Sequence, residues 1–253
     1  MLVVVSPAKR LDERAVETTG GTLPRFARAT TNLVATARGL DPGGLENLMH
    51  ISPKLAALNH ARFARIGSGE GAKQAIEMFA GDTYTGLEAG SLDPDELDYA
   101  QDHLRILSGL YGLLRPRDMI EPHRLEMGSR LANANGRDLY AFWGDRIAKA
   151  LVADAAAAGT GVLVNCASVE YFTAAARPAL TLRVVTPSFL EDRPEGPKVM
   201  SFWAKQARGA MARFIVQNRL RDPDALAAFD TGGYRFQPAM STPDRPVFLR
   251  GES

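Results

Sequence analysis

The sequence predicts a mixed α/β (α+β) fold in one domain, residues 1–253, with a central mixed sheet flanked by helices. Three observations carry that expectation. The chain opens on a β-branched run, Leu2-Val3-Val4-Val5, stopped by Ser6-Pro7, which reads as a buried strand entering a turn. Two further apolar runs, Gly161–Asn165 and Thr181–Thr186, recur far downstream. Between the first strand and these runs, helix-start signals stand ahead of apolar residues at helical spacing, and such alternation favours parallel pairing.

Each element has its own signal. Pro24, Ser52-Pro53 and Asp93-Pro94 mark N-caps or first helical turns, and Asp93-Pro94-Asp95-Glu96 adds the Glu of a capping box. A helix is expected over Leu139–Ala158, ended by Gly159, and another from Ser168 to before Pro178. Lys198–Phe202 reads as a strand. The helix after it places Ala204, Ala207, Met211, Phe214 and Ile215 on one face, with Lys205, Arg208 and Arg219 on a stripe beside it. In the tail, Tyr234–Phe236 and Val247–Leu249 read as two edge strands around a Pro-rich loop.

Composition narrows the function classes. Hydrophobic residues make up 45% of the 253, enough for a substantial core. Thirty Lys and Arg against 29 Asp and Glu leave a net charge of +1, so a polyanion must be met by a local basic patch. The single cysteine, Cys166, rules out an intrachain disulfide and a thiolate metal cage, and suits a reducing compartment. His50, His60, His103 and His123 are scattered without metal-ligand spacing, so no metal and no other cofactor is expected. No apolar run reaches the roughly 18 residues of a membrane span, so a soluble, cytoplasmic protein without a membrane partner is expected.

The candidate chemistry lies at strand ends, where open α/β sheets bind ligands. The first strand delivers Ser6, Lys9 and Arg10; the run ending at Asn165 delivers Asn165, Ser168 and Glu170; the one ending at Phe202 delivers Lys205 and Arg208. If these strands are parallel neighbours, the groups share one rim suited to a phosphate. Taken singly, Ser6, Asn165 and Ser168 also read as caps and turn residues. Gly109 and Gly112, three apart between apolar runs, allow a tight hairpin flanked by Arg105, Arg115 and Arg117, able to approach a nucleic-acid phosphate or serving packing alone. Asp82 in a glycine-flanked loop, and Arg124 with Glu126 beside His123, complete the polar clusters. Asp82, Glu126 and Glu170 serve either as salt-bridge partners or as general bases. P-loop, dinucleotide-binding and nucleophile-elbow motifs are absent.

These segments together resemble the YaaA family of peroxide stress proteins. The resemblance rests on Ser6-Pro7-Ala8-Lys9 with Leu11-Asp12, Phe79–Leu87, Leu104–Arg117, Arg124–Gly128, Leu139–Gly144, Ala167–Phe172 and Ala204–Gly209, in order over nearly the whole chain. It implies a bacterial protein of the oxidative stress response that limits damage from hydrogen peroxide by keeping unincorporated iron low. It also implies a family-specific fold with a helix-hairpin-helix-like element, mapped onto Arg105–Arg117, and a basic DNA-binding cleft, mapped onto Lys9, Arg124, Lys205 and Arg208. His123 stands where the family usually has tyrosine, and Arg10 where a small hydroxyl residue is common.

Two functions compete on these grounds. A DNA-binding stress protein would hold backbone phosphates without reading sequence. An enzyme acting on a nucleotide or another small phosphorylated ligand would use Lys9, Lys205 and Arg208 as phosphate clamps, with Ser6, Asn165 or Glu170 nearer the reacting atom. The family resemblance favours the first and the near-neutral net charge the second.

Overall fold

The computed structural model describes residues 1–14 and 20–251; residues 15–19 and 252–253, within the expected limits of 1–253, lie outside the described residues. The chain begins with β1 (Leu2–Val5), wholly buried, and the short β2 (Arg10–Leu11). Three helices follow, α1 (Ala27–Arg38), α2 (Pro42–Met49) and α3 (Pro53–Arg65). Asp41 caps α2 by accepting from Gly44 N–H and Ser52 caps α3 by accepting from Leu55 N–H, each with proline at the next position. The turn His50-Ile51-Ser52 joins these two helices, with His50 left-handed at φ 51°.

Short elements come next: β3 (Lys73–Gln74), α4 (Ala75–Met78), β4 (Phe79–Ala80) and α5 (Asp82–Leu87). The expected capping box between Asp93 and Glu96 is complete and starts α6 (Pro94–His103). That helix runs directly into β5 (Leu104–Ser108), followed by β6 (Gly112–Leu114) and β7 (Met119–Ile120). Beyond lie α7 (Leu139–Trp143), α8 (Arg146–Ala157), β8 (Val162–Cys166), α9 (Val169–Phe172), β9 (Arg183–Val185) and β10 (Ser188–Glu191). The chain closes with α10 (Ser201–Gln217), β11 (Tyr234–Phe236) and β12 (Val247–Arg250). No helix among the described residues is long and apolar enough to cross a membrane.

The central sheet has the order β6-β5-β1-β8-β9, with β5, β1, β8 and β9 parallel and β6 antiparallel at the edge. It is the mixed sheet that the sequence predicts. Burial of β1 on both faces explains its continuous Leu-Val-Val-Val run, since a strand covered on two sides needs no polar alternation. A second sheet, β10-β12-β11, packs Phe189, Phe229 and Phe248 into one aromatic cluster. There β12 is the central strand, not an edge.

Several elements differ from expectation. Lys198–Phe202 is not a strand: Lys198 makes an isolated bridge to Glu191, and α10 already begins at Ser201. A short apolar run carries too little periodicity to separate strand from helix, and here Val199, Met200 and Phe202 stay exposed. The stretch Leu139–Ala158 is two helices, broken at Gly144, whose φ of 49° no helix accommodates. The helix expected from Ser168 towards Pro178 is the single turn α9. Arg219 lies past the end of α10 with φ 47°, off the Lys205–Arg208 stripe.

The Arg105–Arg117 segment is a hairpin of two strands, not of helices. The helix-hairpin-helix arrangement is formed instead by α2 and α3 about His50–Ser52. Both hairpin glycines serve packing. A Cβ on Gly109 would lie 2.2 Å from Leu125 O, and one on Gly112, at φ 73°, 2.7 Å from the Trp143 ring.

One buried group makes stability depend on pH. His123 is 5% exposed, edge-on to Phe79 and Tyr111, and its Nδ1–H donates to Glu121 O at 2.9 Å. Burial, with the charge of Arg62 adding, lowers its pKa from 6.5 to about 4, while the Glu121 bond opposes. The unfolded chain therefore binds the proton that the folded one refuses between those values, so stability is full above pH 6.5 and falls as pH drops towards 4. The loss amounts to about 3 kcal/mol. Urea unfolding at pH 7.5 and 5.0 is expected to read about 2 kcal/mol of it, and His123→Phe is expected to remove that part of the pH dependence.

Candidate active site and anion cleft

The parallel strands β1 and β8 end side by side, Val5 paired with Cys166. Because β5 flanks β1 on one side and β8 on the other, the chain reverses its direction of progress across the sheet at β1. Loops diverging at such a point leave a crevice beyond the strand ends. Here the crevice is a cavity of about 460 Å³, walled by the loop after β1, the loop after β8, the start of α5 and the outer face of α10. Ser6, Lys9, Arg10, Asp82, Ser168, Glu170, Lys205 and Arg208 all line it. Four cations thus face two carboxylates, a local excess of positive charge in a nearly neutral protein.

The two loops are tied together at their hydroxyls. Ser168 N–H donates to Ser6 Oγ at 2.9 Å, and Ser6 Oγ–H donates to Ser168 Oγ at 3.3 Å. Ser168 Oγ also accepts from Tyr171 N–H as the cap of α9, and Tyr84 Oη–H donates to Ser6 O at 3.2 Å. The cap reading and the site reading of Ser6 and Ser168 are therefore compatible: an acceptor at both its bonds, Ser168 keeps its own proton free to donate.

The cations differ in how they are held. Lys205 reaches Asp82 at 4.0 Å with its side chain 53% exposed, a weak pair. Lys9 lies 3.6 Å from Glu126 Oε1, which also accepts from Arg124 Nε and Nη2 at 2.9 and 2.7 Å. Glu126 Oε2 is buried and finds no hydrogen-bond partner among the described residues. Glu170 accepts from Gly128 N–H at 3.0 Å and so fixes the opposite wall. Arg10 and Arg208 have neither a side-chain hydrogen bond nor an ion pair among the described residues, and of the two only Arg208 is half-buried in the cavity wall. Burial lowers its pKa from the ordinary value, the neighbouring Cys166 opposing, yet a guanidinium keeps its proton throughout the physiological range. An unpaired, partly desolvated charge is costly, and an anion in the cavity relieves that cost.

The site needs one contact that sequence reading missed. The helices α5, carrying Asp82, and α10, carrying Lys205 and Arg208, cross backbone to backbone at Gly86 and Gly209. A Cβ on Gly86 would lie 2.0 Å from Gln206 O, and one on Gly209 1.8 Å from Thr83 O. Glycine inside a helix is unfavourable by about 1 kcal/mol relative to alanine, so its presence there signals a close approach.

Lys9 and Glu170 also line an adjoining, wider groove of about 950 Å³, whose far side is α2 and the His50 hairpin. Arg130 lines this groove and was not foreseen. Arg124, Glu126 and Gly109 line a small void behind Lys9.

Other sequence candidates fall elsewhere. Asn165 is buried, accepting from Ala167 N–H at 3.0 Å and donating to Thr186 Oγ1 at 3.4 Å, so it shapes the loop after β8. Arg105 is 5% exposed and holds Asp154 at 2.6 Å, with further bonds to Gln101 O and Leu104 O. Arg25 pairs with the same carboxylate. Arg115 closes its own turn onto Asp118 at 3.1 Å, and Arg117 pairs with Asp98 at 2.5 Å. These three arginines are spent on the fold because β5 and its hairpin face α8 and α6, not the cleft. Arg105→Ala leaves Asp154 buried with its inner partner gone and is expected to cost about 3 kcal/mol in urea unfolding. Among the described residues no group of three or more His, Cys, Asp or Glu is placed to hold a metal ion.

The family model for peroxide stress protein YaaA matches residues 1–240. A UPF0246 protein of Roseobacter denitrificans is 58% identical over 257 residues, spanning 99% of this chain and 98% of that one. UPF0246 proteins of Ruegeria pomeroyi, 56% identical over 255 residues, and of Cereibacter sphaeroides, 58% identical over 255, match 99% of this chain and 98% and 99% of their own lengths. With the model and the relatives both spanning nearly all of it, the chain belongs to the YaaA family of peroxide stress proteins.

Proposed function

We propose that this protein acts in the peroxide stress response by binding nucleic acid through the strand-end cavity and its adjoining groove, without reading base sequence, and that this activity serves to limit unincorporated iron and oxidative damage. The observation that carries the reading is Arg208, a half-buried guanidinium without a partner among the described residues, next to the Ser6–Ser168 hydroxyl pair. Backbone phosphate is a ligand for that combination. The groove extends the same surface past Lys9 to Arg130 and the α2–α3 hairpin.

Two other routes to a peroxide response are less well supported. Burial raises the Cys166 thiol to about 12, so little thiolate is present to react with peroxide. Direct iron capture has no three-ligand cluster among the described residues to work with. A second reading, an enzyme acting on a small phosphorylated ligand, is favoured by the position of the cavity at the switch point of the sheet.

Titration of fluorescent duplex DNA at two salt concentrations tests the first reading. With Lys9, Arg10, Lys205 and Arg208 together neutralising about four phosphate charges, affinity is expected to fall by about two orders of magnitude between roughly 50 and 200 mM salt. Negligible binding at low salt, with saturable thermal stabilisation by nucleotides, would replace it with the second.

A further inference from the structure

We propose that the strand-end cavity holds the terminal phosphate monoester of a polynucleotide whose chain lies along the adjoining groove. This deepens the nucleic-acid reading above and rests on it.

The first argument is charge. An internal phosphodiester carries one negative charge, whereas a terminal monoester carries close to two at neutral pH. Arg208 without a partner among the described residues, Lys205 in a loose 4.0 Å pair and the free proton of Ser168 Oγ together offer more than one charge can use. Their convergence on one cavity, instead of spacing along the groove, matches one doubly charged group better than a row of diesters.

Shape is the second argument. A strand threading through a site needs an opening at each end. This cavity adjoins the groove at Lys9 and Glu170, which line both. On the wall formed by α5 and α10, the Gly86–Gly209 crossing brings backbone to backbone with no room for even a methyl group, so no chain passes between those helices. The floor is the end of β8 at Cys166, itself 1% exposed. A polynucleotide that reaches either of these walls meets packed backbone and not a passage.

A platform for the terminal base supplies the third. Phe202 lies about one helical turn before Lys205, so the two are neighbours on the surface of α10. Phe202 is 49% exposed and braced edge-on by Trp203, with ring centroids 4.8 Å apart. An exposed aromatic beside a phosphate site stacks bases irrespective of their identity.

The test is fluorescence anisotropy with single strands of about 12 nucleotides, within the site size of such grooves. The strands carry a 5′-phosphate, a 3′-phosphate or hydroxyls at both ends. A phosphate at one end is expected to tighten binding about tenfold or more, since it adds charge-assisted hydrogen bonds. Arg208→Met is expected to abolish that difference while leaving weaker, salt-sensitive binding of all three strands. Competition on the wild-type protein by phosphorylated and unphosphorylated dinucleotides gives the same readout without a variant. Equal binding of all three strands overturns end recognition and leaves the nucleic-acid reading standing. No binding of any strand or of duplex overturns both. A free nucleoside monophosphate that binds as tightly as the phosphorylated strand overturns the proposal in favour of a small-nucleotide pocket.

Discussion

Gly209→Ala is expected to destabilise the fold by roughly 4 kcal/mol or more, beyond the usual cost of overpacking a core. The new methyl carbon would sit 1.8 Å from Thr83 O, 2.8 Å from Leu87 N and 2.8 Å from Thr83 C, and all three are backbone atoms of α5 or its first turn. No rotamer change relieves such a collision, so α5 and α10 must separate. Their separation also uncouples Asp82 from Lys205 and exposes the core behind Met211, Ala212 and Ile215. Gly161→Ala is the control, because a Cβ there meets open space, and it is expected to stay within about 0.5 kcal/mol of wild type. Urea unfolding of the two variants side by side gives the measurement. A Gly209→Ala protein as stable as the control would mean that α5 and α10 do not cross as described, and the cavity wall would go with them.

The double variant Lys205→Ala/Arg208→Ala is expected to weaken duplex binding by about two orders of magnitude near 100 mM salt, from the loss of two charge-assisted contacts. It should also reduce the slope of log affinity against log salt by about 2. A slope change is what distinguishes removed phosphate contacts from a loosened fold, which lowers the active fraction without altering the slope. Arg115→Ala/Arg117→Ala is the counterpart on the β-hairpin. Those side chains close a turn onto Asp118 and pair with Asp98, well away from the cavity lining, so affinity and slope should both stay near wild type. A large loss in the hairpin variant, with none in the α10 variant, would move the nucleic-acid surface from the strand ends to the hairpin.

Much of the architecture was legible along the chain because its signals are local. The Leu2–Val5 strand, the Asp93–Glu96 capping box, the Ser52-Pro53 helix start and the left-handed Gly159 each depend on a few adjacent residues, and each is found where the pattern places it. The cluster of Ser6, Lys9, Ser168, Glu170, Lys205 and Arg208 was also anticipated, through the rule that parallel strands deliver their loops to a common rim. The route was right for β1 and β8 and different for the third segment. Lys205 and Arg208 come from the body of α10, which packs across those two strands, and not from a strand end.

What local pattern could not supply was the pairing of charges. Arg105, Arg115 and Arg117 look as available in sequence as Lys9 and Arg208, yet their partners Asp154, Asp118 and Asp98 come from α8, the hairpin's own turn and α6. A charge is free or engaged according to what lies within about 4 Å of it, and those neighbours are set by how helices and strands pack. The same holds for glycine: Gly86, Gly109 and Gly209 are punctuation in the sequence, while in the structure each is a point where two backbones touch. The sequence by itself determined the family, the mixed α/β class and the residue types gathered at the strand ends, because those rest on composition, order and local propensity. Only the tertiary structure decided which cations remain unpaired among the described residues, where the helix-turn-helix pair lies and which elements wall the cavity, because each depends on contacts between segments distant along the chain.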